Sequence, residues 1–505
     1  MPAPNILIIM ADQLNPAFLP AYGHKIVKAP NIDALAREGV TFANAYCNSP
    51  LCSPSRAVFM TGQLPSRTGV YDNASEFRAD IPTFAHYLRT AGYRTILSGK
   101  MHFCGPDQMH GFERRLTTDI YPADYGWTPD WEHPSERPDW YHNMRSVTQA
   151  GLCVRTNQLD FDDEVVFEAE RAIYDEARTA DKRPFLLVAS LTHPHDPFAI
   201  PEKYWNLYRD ADIDMPDPAP APRDPHTLRL RHVCAMDSEP ITEQNVRDAR
   251  HAYYGAISYV DENVGRLTAA LKATGLDGNT IVIFASDHGE MLGERGLWYK
   301  MNYFEGGARV PLIISAPGRF AKRTVDAAVS LADVAPTLVD LSGGHASALD
   351  QTLDGRTLLP HLESGAGHDE AIGEYCAEGA IAPMVMIRRG RWKYAHSAPD
   401  PDMLFDLHAD KGERRNLAAE PAHADTVAAF RDEVARRWDL AKLDADVRAS
   451  QARRRLVNAA LSRGEPKAWD FQPVKDASRA YVRNTIALDD LEAMARFPRV
   501  AGKPG

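Results

Sequence analysis

Long apolar runs are missing from this 505-residue chain. No stretch approaches the roughly 18 consecutive apolar residues of a membrane-crossing helix. An excess of positive charge is missing too. The formal net charge is −12, the wrong sign for a surface that grips nucleic acid or another polyanion. Cysteine is scarce: six residues, at 47, 52, 104, 153, 234 and 376, lie scattered without CxxC spacing. That usage argues against a disulfide scaffold and fits a reducing compartment with most thiols simply buried. The opening MPAPNILIIMADQ has no basic leader, and Ile6–Met10 is shorter than the apolar core of a signal peptide. A cytoplasmic protein with no membrane and no nucleic-acid partner is the expectation. Internal repeats are absent.

What is present is ordinary globular composition, 44% hydrophobic and 25% charged, in a chain too long for one ordinary core. Short β-branched runs at Asn5–Met10, Tyr93–Leu97, Phe185–Leu191, Thr280–Ala285 and Val310–Ser315 alternate with helical patterns. This predicts an α/β fold on a large, mainly parallel, doubly wound sheet. Helices are expected at Asn31–Glu38, Ile81–Thr90 and Gln244–Thr274, closed by Gly39, Ala91-Gly92 and Gly275. The stretch Tyr121–Thr148, dense in Trp, Tyr, Pro and His, reads as an ordered loop, and Pro-rich 214–225 as irregular. Beyond about residue 370, Val385–Arg389, Trp392–His396 and Met403–Leu407 look like antiparallel strands, followed by a helix at His423–Asp439. The expected division is a catalytic α/β domain over 1–370, a smaller antiparallel-sheet domain over 371–444 and a tail over 445–505. The tail carries amphipathic patterns at Ser450–Ser462 and Lys475–Leu488, suited to packing on this subunit or on another.

Polar residues follow the apolar runs. Asp12 and Gln13 come after the first, Lys100 and His102 after the second. His193, His195 and Asp196 come after the third, and Asp287, His288 and Glu290 after the fourth. In open α/β sheets, ligands bind outside the carboxyl ends of the strands. A helix cap or a strand-end polar residue explains any one of these groups; four together on one rim point to a site. Asp12, Asp287 and His288 form a hard-to-borderline ligand set that suits Ca²⁺, Mg²⁺ or Mn²⁺ better than a structural zinc site does.

The sharpest local signal is Cys52-Ser53-Pro54-Ser55-Arg56. Pro54 is placed for the first helical position, with Gly62 closing the turn, so Cys52 would sit where backbone N–H groups favour an anion. Arg56, one turn on, could add a second positive contact. A small buried cysteine before a capped helix is the plainer reading of the same residues. Chance supplies on the order of 0.03 C-x-P-x-R matches in such a chain.

C-x-P-x-R, followed by TGQLPSRTGV, resembles the type I sulfatases of the alkaline-phosphatase-like superfamily. The order Asp12, Cys52–Arg56, Gly99-Lys100-x-His102, Pro194-His195, Ser286-Asp287-His288-Gly289 and Lys300 is similar to that family over roughly the first 320 residues. LTTDIYPADYGWTPDW, YHNMRSVTQAG, LTHPHDPF, SDHGEMLGERGLWYKMNYFEG, SQARRRLVNAAL and YVRNTIALDDLE resemble its choline-sulfatase branch across nearly the whole chain. The resemblance implies that a formylglycine-generating enzyme converts Cys52 to an aldehyde whose hydrate attacks a sulfate ester beside one divalent metal. Asp12, Cys52, Asp287 and His288 would be the metal ligands. Lys100 and Lys300 would stabilise the sulfuryl oxygens, His195 with Lys300 would protonate the departing alkoxide, and His102 would accept a proton from the second hydroxyl. Asn73 would be a further substrate contact. A quaternary ammonium cannot hydrogen-bond and calls for aromatic faces and carboxylates, for which Trp127, His142, Glu378 and Asp489, the last from a neighbouring subunit, are the candidates. A homo-oligomer, dimer or tetramer, would form through the tail.

Two departures stand out. Arylsulfatases usually pair two aspartates where this chain has Asp12-Gln13, which makes Gln13 a weaker ligand than Asp12. Ile381 stands where the choline-sulfatase pattern leads one to expect tyrosine. An arylsulfatase or a phosphonate monoester or phosphodiester hydrolase on the same scaffold remains an alternative. So does a metal-stabilised binding protein whose Cys52 is never modified.

Overall fold

The protein's computed structural model describes residues 3–217, 223–316, 318–344, 351–465, 469–474 and 485–498. Its centre is a sheet whose strands are β1 (Asn5–Ala11), β2 (Val40–Tyr46), β3 (Arg94–Gly99), β4 (Arg114–Arg115), β5 (Phe185–Ser190), β6 (Thr280–Ser286), β7 (Arg309–Val310), β8 (Leu312–Ser315) and β9 (Arg323–Ser330). The order is β9-β2-β8-β6-β1-β5-β3-β4, with β7 paired to β2. Strands β6, β1, β5, β3 and β4 run parallel. Every residue of β1, β5 and β6 is buried. Such continuous apolar runs follow from helices covering both faces of a sheet. Pro30–Glu38 and Asn157–Arg178 pack on the long helix Glu243–Thr274, while Cys52–Thr61, Phe84–Thr90 and Val334–Leu341 pack on one another. Thr242 opens the long helix with a reciprocal capping box, and Gly275 closes it in the left-handed region.

The Val310–Ser315 run departs from expectation. It divides at Pro311, which has no N–H to give a ladder, and β8 runs antiparallel to both β6 and β2. The helix expected from Ile81 starts at Phe84 instead, because Thr83 caps it with His86 in a reciprocal pair. Strands β2 and β9 and the helix Asn157–Arg178 were not foreseen from pattern.

A second sheet, antiparallel throughout, has the order β10 (Ala371–Tyr375), β11 (Met384–Arg389), β12 (Trp392–Ser397), β13 (Met403–Asp406). Helix Ala424–Arg437 covers it, with Tyr394 stacked 5.3 Å from Phe430 over a small apolar core. It meets the large sheet through Asn48, whose side chain donates to Ile372 O at 2.7 Å while its carbonyl accepts from Glu374 N. The 22-residue helix Leu440–Leu461 then crosses to the loop before Trp131 and buries Leu443, Val447, Gln451 and Arg454. It starts ten residues before the expected Ser450. Most of the amphipathic pattern at Lys475–Leu488 lies outside the described residues, as do the middle positions of the Pro-rich stretch 214–225. No helix among the described residues is long and apolar enough to cross a membrane. All six cysteines are free thiols, five of them buried.

Candidate active site

The carboxyl ends of β1, β3, β5 and β6 converge on the start of the helix Cys52–Thr61. That helix begins at Cys52 itself, so Pro54 is its third residue and not its first; its missing N–H still falls in the unpaired first turn. Gly62 closes the helix at φ 70°. Asn73 completes the opening, accepting from Ser53 N at 3.0 Å.

Around Cys52 the groups are close and almost wholly buried. His288 Nε2 lies 3.2 Å from Cys52 Sγ, and Lys100 Nζ 3.9 Å from it. Lys100 pairs with Asp12 Oδ2 at 2.6 Å. Its placement depends on Gly99 at φ 109°, where a β-carbon would lie 2.0 Å from Ser190 O. Arg56 differs from expectation. It does not face an anion at the helix end but pairs with Asp12 (3.0 Å) and Asp287 (2.9 Å) and donates to Lys100 O (2.5 Å) and Ser190 Oγ (2.8 Å). Nε and Nη2 hold the two carboxylates, and Nη1 ties the ends of the neighbouring strands.

Electrostatics follow from this packing. Burial alone would raise the Asp12 carboxyl, but the paired Lys100 and Arg56 overcome it and hold the group well below the usual range. Burial pushes the Cys52 thiol up to about 11, with Asp12 adding to the push, so the unmodified cysteine is a neutral thiol at pH 7. A neutral thiol is a poor nucleophile.

The four groups Asp12, Cys52, Asp287 and His288 offer ligand atoms within 4.8 Å of one another. Asp12 Oδ1 is buried without a hydrogen-bond partner among the described residues. His288 Nδ1 faces its neighbour's carbonyl, Gly289 O, at 3.1 Å, which makes Nδ1 the protonated nitrogen. The Nε2 lone pair then points toward Sγ and toward Asp12 and Asp287, 3.8 and 3.7 Å away. An orphaned carboxylate oxygen and an aimed imidazole lone pair fit a divalent cation. Gln13 does not compete for that place. Its Oε1 accepts from Lys300 Nζ at 2.5 Å, and its Nε2 donates to Glu290 at 2.5 Å.

The second grouping, His142, His195 and Asp196, is centred differently. Lys300 Nζ lies 2.8 Å from His195 Nε2 and 3.4 Å from His142 Nε2, standing where a cation would. His195 Nδ1 lies 2.6 Å from Asp196 O and donates to it, so Nε2 is the acceptor of the Lys300 proton. Burial first, then Lys300, keeps His195 well below its ordinary value, and the ring is neutral. His142 is pushed down to about 3 for the same two reasons. His102 sits at φ 58° with both ring nitrogens unpartnered among the described residues. Burial and then the charge of Lys100 take it down to about 3, leaving a bare imidazole.

Toward the other side lie the aromatic loop and the second sheet. Trp127 is 5.8 Å from the His102 ring and stacks at 6.4 Å with Trp140. Glu378 is 4% exposed and raised to about 7, by burial and then by Asp72. Ile381, half-buried, gives its carbonyl to Arg448. Asp489 is not brought to this place: it lies exposed on the helix Leu488–Ala495, near whose end Phe497 packs on Tyr174.

Several residues at the site went unnoticed in the sequence. Asp119 accepts from the N–H groups of Met101 and His102 at 3.0 and 2.9 Å, fixing the strained turn after Lys100. The Lys100 ammonium lies over the Tyr121 ring at 4.8 Å. Ser190 anchors Arg56. Asp119 and Tyr121 lie within the LTTDIYPADYGW segment, so only the motif could have pointed to them.

The chain is similar to known proteins along most of its length. Residues 4–344 match the family model described as Sulfatase, 293–439 that of the N-sulphoglucosamine sulphohydrolase C-terminal region, and 445–497 that of the choline sulfatase enzyme C terminal. A choline-sulfatase of Rhizobium meliloti (strain 1021) is 50% identical over 98% of this chain and 99% of its own length. An arylsulfatase of Clostridium perfringens is 28% identical over 82% of this chain and 90% of its own. Among solved structures, the phosphonate monoester hydrolase of Agrobacterium radiobacter superposes with TM-score 0.68 at 28% identity, covering 89% of this chain and 96% of that one. The large mixed sheet with its small antiparallel companion, the site at the strand ends and these matches have one reading: the chain belongs to the sulfatase family and is a sulfuric ester hydrolase.

Proposed function

We propose that the protein hydrolyses choline-O-sulfate to choline and sulfate, using formylglycine made from Cys52 and one divalent metal, calcium in the first place. The similarity of the whole chain, tail included, to the Rhizobium meliloti choline-sulfatase is the observation that carries this reading. Asp12, Asp287, His288 and the Cys52 group would hold the metal, which supplies charge against the sulfuryl oxygens and acidifies a bound hydroxyl. Converted to an aldehyde and hydrated, the Cys52 side chain would supply one hydroxyl to attack sulfur as the alcohol leaves, and a second whose deprotonation would reform the aldehyde and expel sulfate with the first oxygen.

This chain's own residues do the rest. Arg56 and Lys100 pair with Asp12, and Arg56 also with Asp287, so the buried carboxylates are held in place by this chain's own cations. Lys100 binds a sulfuryl oxygen. Because His195 is neutral and accepts from Lys300, the proton for the leaving oxygen is held on Lys300, which donates it while His195 Nε2 orients the ammonium. His102 is free to accept the second hydroxyl's proton. Glu378, once ionised, together with Trp127 and His142, would receive the quaternary ammonium.

The likeness to phosphonate monoester hydrolases supports a second reading, hydrolysis of a phosphonate monoester on the same centre. Steady-state kcat/KM on choline-O-sulfate, 4-nitrophenyl sulfate and a phosphonate monoester, phenyl phenylphosphonate, decides between them. Choline sulfate should lead; if it is no better than the aryl ester, the choline reading fails. We further place the protein in the cytoplasm as a homo-oligomer. Exposed Leu456, Val457, Leu461, Leu488 and Met494 on the two tail helices support assembly through 445–505, which would also give Asp489 a neighbour's site to reach.

A further inference from the structure

Helix Leu440–Leu461 touches three separate segments through residues three apart on one side. Arg454, 6% exposed, makes a two-pronged pair with Asp72, Nη1–Oδ1 at 2.7 Å and Nη2–Oδ2 at 2.8 Å, and Nη1 also donates to Thr128 Oγ1 at 3.1 Å. Gln451 Oε1 accepts from Trp131 N at 3.0 Å. Arg448 donates to Ile381 O at 2.7 Å and lies 5.6 Å over the Trp131 ring.

The neighbours of those contacts give them meaning. Asp72 precedes Asn73, which caps the Cys52 helix through Ser53 N. Thr128 follows Trp127. Trp131 Nε1 donates to Ala377 O at 3.1 Å, and Ala377 precedes Glu378. The segments carrying Trp127 and Glu378 are therefore tied to this helix, as is the residue before the Asn73 cap, and among the described residues none of its hydrogen bonds named above reaches the strand ends that hold Lys100, His195 or His288. Asp72 is fully buried, so without Arg454 its charge would stand uncompensated near Glu378.

We propose that Arg454, with Gln451 and Arg448, is the positioning device for the alcohol side of the site: the tail helix sets the spacing between the aromatic loop and Glu378 and so determines which sulfate ester is accepted. These are positioning residues, since they act through Trp127, Asn73 and Glu378. The inference rests on the choline reading for the identity of the alcohol, though not for the geometry.

The test compares choline-O-sulfate with 4-nitrophenyl sulfate on the full-length wild type, Arg454→Met, Arg454→Lys and Gln451→Ala, with Tm recorded for each. In Arg454→Met, kcat/KM on choline sulfate should fall on the order of 10- to 100-fold, mostly through KM, against about threefold on the aryl ester. Arg454→Lys should restore part of the ratio, because it keeps the charge and loses the fork. Gln451→Ala should shift the ratio in the same direction by less, and it decides the matter if Arg454→Met does not fold. Equal losses on both esters, tracking Tm, would overturn the proposal, as would no change on either. A wild type without preference for choline sulfate would defeat the choline reading instead, and the helix claim would still be judged by whether the variants change the ratio of the two esters.

Discussion

The two sides of the site are built differently. On the sulfate side, Asp12, Lys100, His195, Asp287 and His288 stand at or just beyond the ends of buried strands, their charges are paired and their positions follow from the main sheet. On the alcohol side, Trp127 sits in a 3-10 turn within a long loop, Glu378 lies between two strands of the small sheet, and both depend on a helix from the tail. The first side is built on the main sheet, and the second is assembled from a loop, the small sheet and the tail helix. Strand-end geometry suits chemistry shared by a whole family, and loops held by an added element suit a choice among substrates.

The largest effect expected from a single charge on the sulfate side is at Lys100. Lys100→Met should lower kcat on the order of 10²- to 10³-fold on choline sulfate and aryl sulfate alike. A loss confined to one ester would break the division into two sides. Removing the metal comes next in its reach across both sides. Dialysis against a chelator should reduce turnover of both esters and lower Tm, by the equivalent of about 2.7 kcal/mol if the metal had been present at a hundred times its Kd. Calorimetry before and after calcium is returned checks this.

Glu378 sharpens the other side. Its carboxyl, raised to about 7 by burial and then by Asp72, is neutral below that pH and ionised above it. If the anion receives the ammonium, KM for choline sulfate falls as pH rises through about 7, while KM for the aryl ester lacks that step. Glu378→Gln should remove the step and raise KM for choline sulfate about tenfold, the equivalent of roughly 1.4 kcal/mol. A pH profile unchanged in the variant would assign the cation elsewhere. The smallest effect is on the exposed face of the tail helix. Lys442, paired with Asp446 on the surface, should tolerate alanine with no change in Tm or in the ester ratio.

The sulfate side could be read from the sequence because it obeys a local rule: a buried run, then a polar residue at its end. Asp12, Lys100, His195 and Asp287 each announced themselves that way. Arg56 was read as an anion contact because sequence shows the helix it stands on but not the carboxylates behind it. The reversed direction of β8 was equally hidden, since apolar periodicity is the same in both directions and only Pro311 hinted at a break. Arg454 and Asp72 lie 382 positions apart, a contact that no spacing rule reaches. His195 had a role assigned by resemblance, but its neutral tautomer and the proton on Lys300 needed the hydrogen bonds to be seen.

Everything on the sulfate side depends on what Cys52 becomes. Mass spectrometry of the tryptic peptide spanning Cys52, from protein made in a host that has the maturation enzyme, tests this directly. The account predicts an aldehyde in place of the thiol, with sulfatase activity proportional to the converted fraction. A fully active preparation carrying only unmodified Cys52 would contradict it.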